Sequence, residues 1–100
     1  MKIQQQANTL VLSDITELNA ANSSAFRDQA RTALGEQCAN VDIDLSQTRR
    51  VDSSGLGALI SLQKTVCARG GSIRILRPTP IVSQILELTR LHRVFEIVGN

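Results

Sequence analysis

Val41-Asp-Ile-Asp-Leu-Ser46 and, after a short gap, Val51-Asp-Ser-Ser-Gly-Leu-Gly-Ala-Leu-Ile60 decide the fold. In the first stretch apolar Val41, Ile43 and Leu45 alternate with Asp42, Asp44 and Ser46, the period of two that marks a strand. In the second, Asp52, Ser53 and Ser54 are all residues that favour a helix N-cap. Beyond them Leu56, Leu59, Ile60, Val66 and Cys67 recur at helical spacing. A strand therefore runs through a short loop into a hydroxyl-rich helix start. The first N–H groups of a helix lack intrahelical partners and the dipole favours negative charge there, so a phosphate is well accommodated.

Upstream, Lys2–Gln6 reads as a short edge strand that pairs with Thr9-Leu-Val-Leu-Ser13 across a turn near Ala7-Asn8. Asp14–Leu18 leads out of that strand. Asn19 or Asn22 caps a helix that runs to Gln37, with Ala21, Ala25, Phe26, Ala30, Ala33 and Leu34 on one face. Arg27, Asp28, Arg31 and Glu36 face solvent. Gln47–Arg50 is a polar connection, and the helix that follows spans about Ser53–Arg69 before the Gly70-Gly71 stop signal. Ser72–Arg77 is a strand. Pro78 marks a turn, and Pro80 opens an amphipathic helix to about Leu91 through Ile81, Val82, Ile85, Leu86 and Leu88. Val94–Val98 is a last short strand. The order is β-β-α-β-α-β-α-β: one α/β domain over residues 1–100, with a central mixed sheet of about five short strands packed with three main helices. The crossover through Ser53–Arg69 is expected to be right-handed.

The composition narrows the function. The chain has 100 residues, 42% of them hydrophobic, and only Phe26 and Phe95 are aromatic, so Leu, Ile, Val and Ala must build the core. A formal charge of +2 with scattered Lys and Arg gives no basic stripe, which argues against nucleic-acid binding. Cys38 and Cys67 lack metal-ligand spacing and sit in apolar or helical surroundings, so both are expected to be buried free thiols. The chain opens without a signal-peptide pattern and holds no apolar run of membrane-spanning length, so a cytoplasmic location is expected.

Catalytic patterns are missing. No Gly stands two residues before Ser53 or Ser54, so the G-x-S-x-G turn is absent. His92 is the single histidine, and it lies near the far end of the chain. Gly55-Leu-Gly57 is too short for a phosphate-cradling loop, and no Cys/His cluster would hold a metal. On the residues alone, a plain N-cap accounts for Asp52-Ser53-Ser54-Gly55 about as well as a functional turn does. The cap does not explain Gly55 and Gly57, each of which costs a helix about 1 kcal/mol relative to Ala. Glycines there leave the helix surface bare around Ser53 and Ser54, so that another protein's backbone can come close.

With its flanks, the Val51–Ile60 stretch resembles the signature of STAS domains, in particular of the bacterial anti-sigma factor antagonists. The likeness covers nearly the whole chain. Val41–Leu45 resembles the family's central strand, Arg69-Gly-Gly-Ser-Ile-Arg-Ile75 its next helix end and strand, and Leu86–Ile97 its C-terminal helix and strand. The resemblance implies a non-enzymatic regulator that needs no cofactor. In that family the serine directly after the motif Asp is phosphorylated by a serine kinase that is also the anti-sigma factor. That position is Ser53 here, with Ser54 as second choice. The unphosphorylated form binds the kinase and frees its client, and a phosphatase of the PP2C type restores it. The partner-binding residues so implied are Asn19, Asn22, Asp52, Ser53, Ser54, Gly55, Leu56 and Gly57. No nucleic acid or membrane takes part, and the free form is expected to be a monomer.

Thr16-Glu-Leu-Asn19 departs from the family's Gly-x-Leu-Asp run: Thr16 replaces Gly and Asn19 replaces an Asp that lies close to the phosphorylated serine. Asn keeps the hydrogen-bonding shape and removes a negative charge. A second reading is also open, since STAS domains occur as small subunits of ABC-type transport assemblies that bind an ATPase without phosphorylation. The intact Asp52-Ser53-Ser54-Gly55 favours the first. Arg49 and Arg50 read as a solvated loop that could steer an acidic partner. His92 is expected to meet the last carbonyls of its helix. The Leu-rich face of Ile81–Leu91 reads as core.

Overall fold

A computed structural model describes residues 1–36 and 38–99. Strands β1 (Lys2–Gln6) and β2 (Thr9–Ser13) form the expected antiparallel hairpin, with Ala7 at φ +56° in the turn. A two-residue strand β3 (Glu17–Leu18) precedes helix α1 (Ser23–Leu34). Then come β4 (Asn40–Asp44), β5 (Arg50–Val51), helix α2 (Ser53–Ala68), β6 (Ile73–Leu76), helix α3 (Pro80–Leu88), a 3-10 turn (Leu91–Arg93) and β7 (Glu96–Val98).

The main sheet runs β1-β2-β4-β6-β7, antiparallel at β1/β2 and parallel elsewhere, so it is the expected mixed sheet of five strands with three helices. Each step from β2 to β4 to β6 to β7 moves the same way across the sheet. Right-handed crossovers then place all three helices on one face. The register agrees. Leu10, Val41 and Ile73 form one row and Leu12, Ile43, Ile75 and Ile97 another, and all but half-buried Ile97 are buried. The opposite face carries the row Val11, Asp42, Arg74 and Glu96. There the Arg74 guanidinium forks onto the Asp42 carboxylate, Nε to Oδ1 at 2.8 Å and Nη2 to Oδ2 at 2.7 Å, and shelters it from water. The hydrogen bonds to Asp42, and after them its charge, raise the Arg74 pKa above its ordinary value.

Several expectations change. The two-residue strands β3 and β5 pair in parallel as a small second sheet, a pairing too short for any periodicity to register. Helix α1 starts at Ser23, so Ala21 precedes it. Its inner face is Phe26, Ala30 and Leu34 with Ala33 half-buried, while Ala25 is exposed. The expected end at Gln37 lies outside the described residues. Cys38 is buried but Cys67 is exposed, where its thiol accepts a hydrogen bond from Gln63 Nε2 at 3.3 Å. Helix α3 stops at Leu88, because Arg90 adopts a left-handed φ of +61° and starts the 3-10 turn. Val82, Leu86 and Leu91 enter the core, whereas Ile81 and Leu88 are exposed, so only part of that face is core.

Candidate functional site

The start of α2 is an N-cap built by Asp52. Its Oδ1 accepts the N–H of Gly55 at 3.0 Å, and its backbone is extended, as caps require. Ser53 and Ser54 are therefore the first residues of the helix rather than its cap, and both hydroxyls are exposed. Asp52 does more than cap. Its N–H donates to the carbonyl of Leu18 at 3.0 Å, and its second carboxylate oxygen, Oδ2, accepts the N–H of Ala20 at 3.3 Å. One residue thus joins the start of α2 to the segment leading into α1, thirty-two positions earlier in the chain.

That segment is locked by its two asparagines. Asn19 Oδ1 accepts the N–H groups of Ala21 at 2.9 Å and Asn22 at 3.2 Å. Asn22 Oδ1 accepts the Asn19 N–H at 2.9 Å, and its Nδ2 donates to the Glu17 carbonyl at 2.7 Å. Asn22 stands at the N-cap position of α1, but its side chain makes no capping bond there, and Asn19 lies outside the cap. The role of Asn19 is that of an acceptor, which an Asp carboxylate would fill as well. An Asp at this position would keep the acceptor and add a negative charge.

The two glycines differ. Gly55 is buried, and a Cβ built on it would overlap the Leu18 carbonyl. The backbone that comes close at Gly55 is this chain's own, which corrects the expectation of a bare surface at that position. Gly57 is exposed with open space around it, and Leu56 is half-buried. Of the eight residues singled out from the sequence, Asn19, Asn22 and Asp52–Gly57 do come together, with Ser53, Ser54 and Gly57 on the outside. Leu18 and Ala20 were missed. They take part through backbone atoms, and Gly55 alone carried a sign of close approach.

Arg49 and Arg50 are exposed beside Thr16 and Glu17, next to this turn, and make no ion pair among the described residues. His92 Nδ1 lies 3.3 Å from the carbonyl of Leu86, as expected of a helix-end histidine; the carbonyl can only accept, so the bond needs the proton on Nδ1. Among the described residues no group of His, Cys, Asp and Glu could hold a metal ion, and no helix is long and apolar enough to cross a membrane.

A family sequence model described as "Mlab, STAS domain" matches residues 1–99. The anti-sigma F factor antagonist of Paenibacillus polymyxa is 25% identical over 101 residues, covering 100% of this chain and 86% of the relative. The crystal structure of a putative anti-sigma factor antagonist from Thermotoga maritima superposes with a TM-score of 0.92 at 24% identity, over 99% of this chain and 86% of that one. SpoIIAA, an anti-sigma factor antagonist, is similar in its unphosphorylated form, with a TM-score of 0.84 at 19% identity over 99% of this chain and 88% of its own. Its phosphorylated form, described as a Bacillus cell fate determinant, gives 0.75 at 18% identity over 99% and 91%.

Proposed function

The chain belongs to the STAS domain family, and on that premise we propose that it is an anti-sigma factor antagonist, a non-enzymatic regulator that binds an anti-sigma factor. The finer reading is partner switching. The unphosphorylated domain binds an anti-sigma factor that is also a serine kinase and so frees that factor's client. Phosphorylation of Ser53 ends the binding, and a phosphatase of the PP2C type restores it, all in the cytoplasm. One observation carries this reading: Ser53 is exposed at the first turn of α2, directly after the Asp52 that ties this turn to the Asn19–Asn22 loop.

The chemistry follows from that placement. A phosphate adds roughly −1.5 to −2 charges and three acceptor oxygens. Unpaired N–H groups and the dipole at the helix start tolerate it, so the domain stays folded. Within residues 19–22 and 52–57, Asp52 is the sole acid, and its two oxygens are already bonded. A partner packed over Ser53, Ser54 and Gly57 meets the added bulk and must desolvate the charge. A loss of about 3 kcal/mol changes occupancy roughly a hundredfold.

The test is a pull-down from the source organism's lysate with ATP present, using wild type, Ser53→Ala and Ser53→Asp as baits. A kinase held by wild type and Ser53→Ala but lost with Ser53→Asp supports the switch. If all three hold a transport ATPase equally, Ser53 is only the first residue of a helix and the domain serves a transport assembly.

A further inference from the structure

We propose that the outer edge of β1 is a pairing site for a second copy of this chain, β1 against β1 and antiparallel, which joins two five-stranded sheets into one. The two edges of the main sheet differ. The β7 edge has three residues, opens on the charge of Glu96 and ends at Gly99 with φ +78°. A very short, charged edge strand is one way proteins blunt unwanted pairing. The β1 edge has five residues, all exposed, and among the described residues its one neighbour in the sheet is β2. It holds no Pro or Gly, and its register runs without a bulge from Lys2 opposite Ser13 to Gln6 opposite Thr9. Its one charge, Lys2, stands at the first residue, so Ile3–Gln6 is left uncharged. An open row of strand N–H and C=O groups is completed by another extended backbone.

The strand's own sequence fits it to itself. A two-fold axis through Gln4 pairs all five residues, and any other centre pairs fewer. Gln4 then faces Gln4 of the second copy, Ile3 faces its Gln5 and Lys2 faces its Gln6, so no like charges meet. Ile3 and Gln5 lie on the helix side of the sheet, opposite buried Leu12 and Leu10, and each borders an open hollow against Ala33 of α1. The hollows therefore recur at alternate residues, where an added strand places its side chains. Ile3, 37% exposed, comes to the hollow beside Gln5 of the second copy, and the exchange is mutual. Charge selects no other occupant. Each hollow holds one acid, Asp28 or Glu36, and the Arg27 guanidinium lies 4.0 Å from Asp28. The two-fold pairing closes both β1 edges and leaves only the short β7 edges, so assembly stops at the dimer. The monomer expected from the sequence is its dilute form.

The inference goes beyond the proposed function and does not involve Ser53. Sedimentation equilibrium of the whole chain tests it. The apparent mass should rise from that of one chain at about 10 µM to nearly that of two at about 1 mM, as suits a small interface. Backbone amide shifts over the same range should centre on Lys2–Gln6. Gln4→Glu and Gln4→Lys each set like charges opposite one another and should weaken association about threefold or more. Gln4 is exposed, so neither variant should move the unfolding midpoint. An equimolar mixture of the two should associate more tightly than either alone, because each strand then faces the opposite charge. A wild-type mass that stays at one chain through about 1 mM, or one that passes two, overturns the proposal. So do amide shifts centred elsewhere, variants that associate as wild type does, or a mixture no tighter than its components. Failure of the phosphorylation reading leaves each of these outcomes as it is.

Discussion

Gly55 lies on the carbonyl of Leu18 with no room for a Cβ between them. This contact sets how the first turn of α2 meets the loop before α1, and it sets the two glycines of the turn apart. Gly55→Ala drives a methyl group into backbone that is itself hydrogen-bonded to Asp52. It should destabilise the domain by about 2 kcal/mol despite the better helix propensity of Ala. Gly57→Ala enters open space and should stabilise by about 0.5–1 kcal/mol. Urea unfolding of both variants checks this; shifts of the same sign would disprove the difference.

Asn19 acts as an acceptor, so Asn19→Asp should leave stability within about 0.5 kcal/mol of wild type. Asn19→Ala takes the acceptor from the Ala21 and Asn22 N–H groups and should cost about 1 kcal/mol, with faster amide exchange at those two residues. Equal exchange in both variants would mean that the side chain does not hold the loop.

Thr48 is fully buried in what reads as a polar connection. Its hydroxyl donates to Ile15, and its carbonyl accepts the Thr79 hydroxyl at 2.8 Å. Thr48→Val keeps the shape but leaves the Ile15 carbonyl without that donor, a loss of about 1–3 kcal/mol. The measurement is again the urea midpoint, and a neutral result would show that the segment is held from elsewhere.

Asp44 gives the chain a predictable response to acid. Burial pushes its carboxyl up, but the hydrogen bonds from Ser46 and the Arg77 guanidinium at 2.7 Å outweigh this and hold it below the usual carboxylate range. A depressed folded-state pKa stabilises above the unfolded pKa and fades as pH falls through the folded one. Asp44→Asn should therefore lower stability at neutral pH by about 0.5 kcal/mol, the scale of a partly exposed pair. The gap from wild type should begin to close near pH 4, as the unfolded carboxylate takes up its proton, and should be gone once the folded carboxylate is protonated as well. Unfolding free energies across that range decide it: a gap independent of pH would rule the shift out.

Much of the fold was legible because its elements are locally encoded. Thr9–Ser13 is a strand at its expected bounds, and Ser53 opens a helix that Gly70 and Gly71 close. The candidate site was legible in part: Asp52, Ser53 and Ser54 all read as cap residues, and the structure gives the cap to Asp52 with the two serines following it in the helix. Misjudged elements had ambiguous local signals. Leu88 continues an apolar spacing yet lies outside, because Arg90 turns the chain away before a further turn of helix can bury it. Cys67 looked apolar but falls on the solvent side of α2, while Val66 takes the core.

By itself the sequence determined the five longer strands and three helices in their order and a hydroxyl-rich helix start at residues 52–54, since each depends on neighbours within a turn or two. Only the tertiary structure decided that Ala20 binds Asp52, that Gly55 rests on Leu18 and that Arg74 covers Asp42. These contacts join residues more than thirty positions apart, and their partners are set by the sheet register, which forms only when the whole core is buried. Two of the three run through backbone atoms, which every residue carries and no composition reveals.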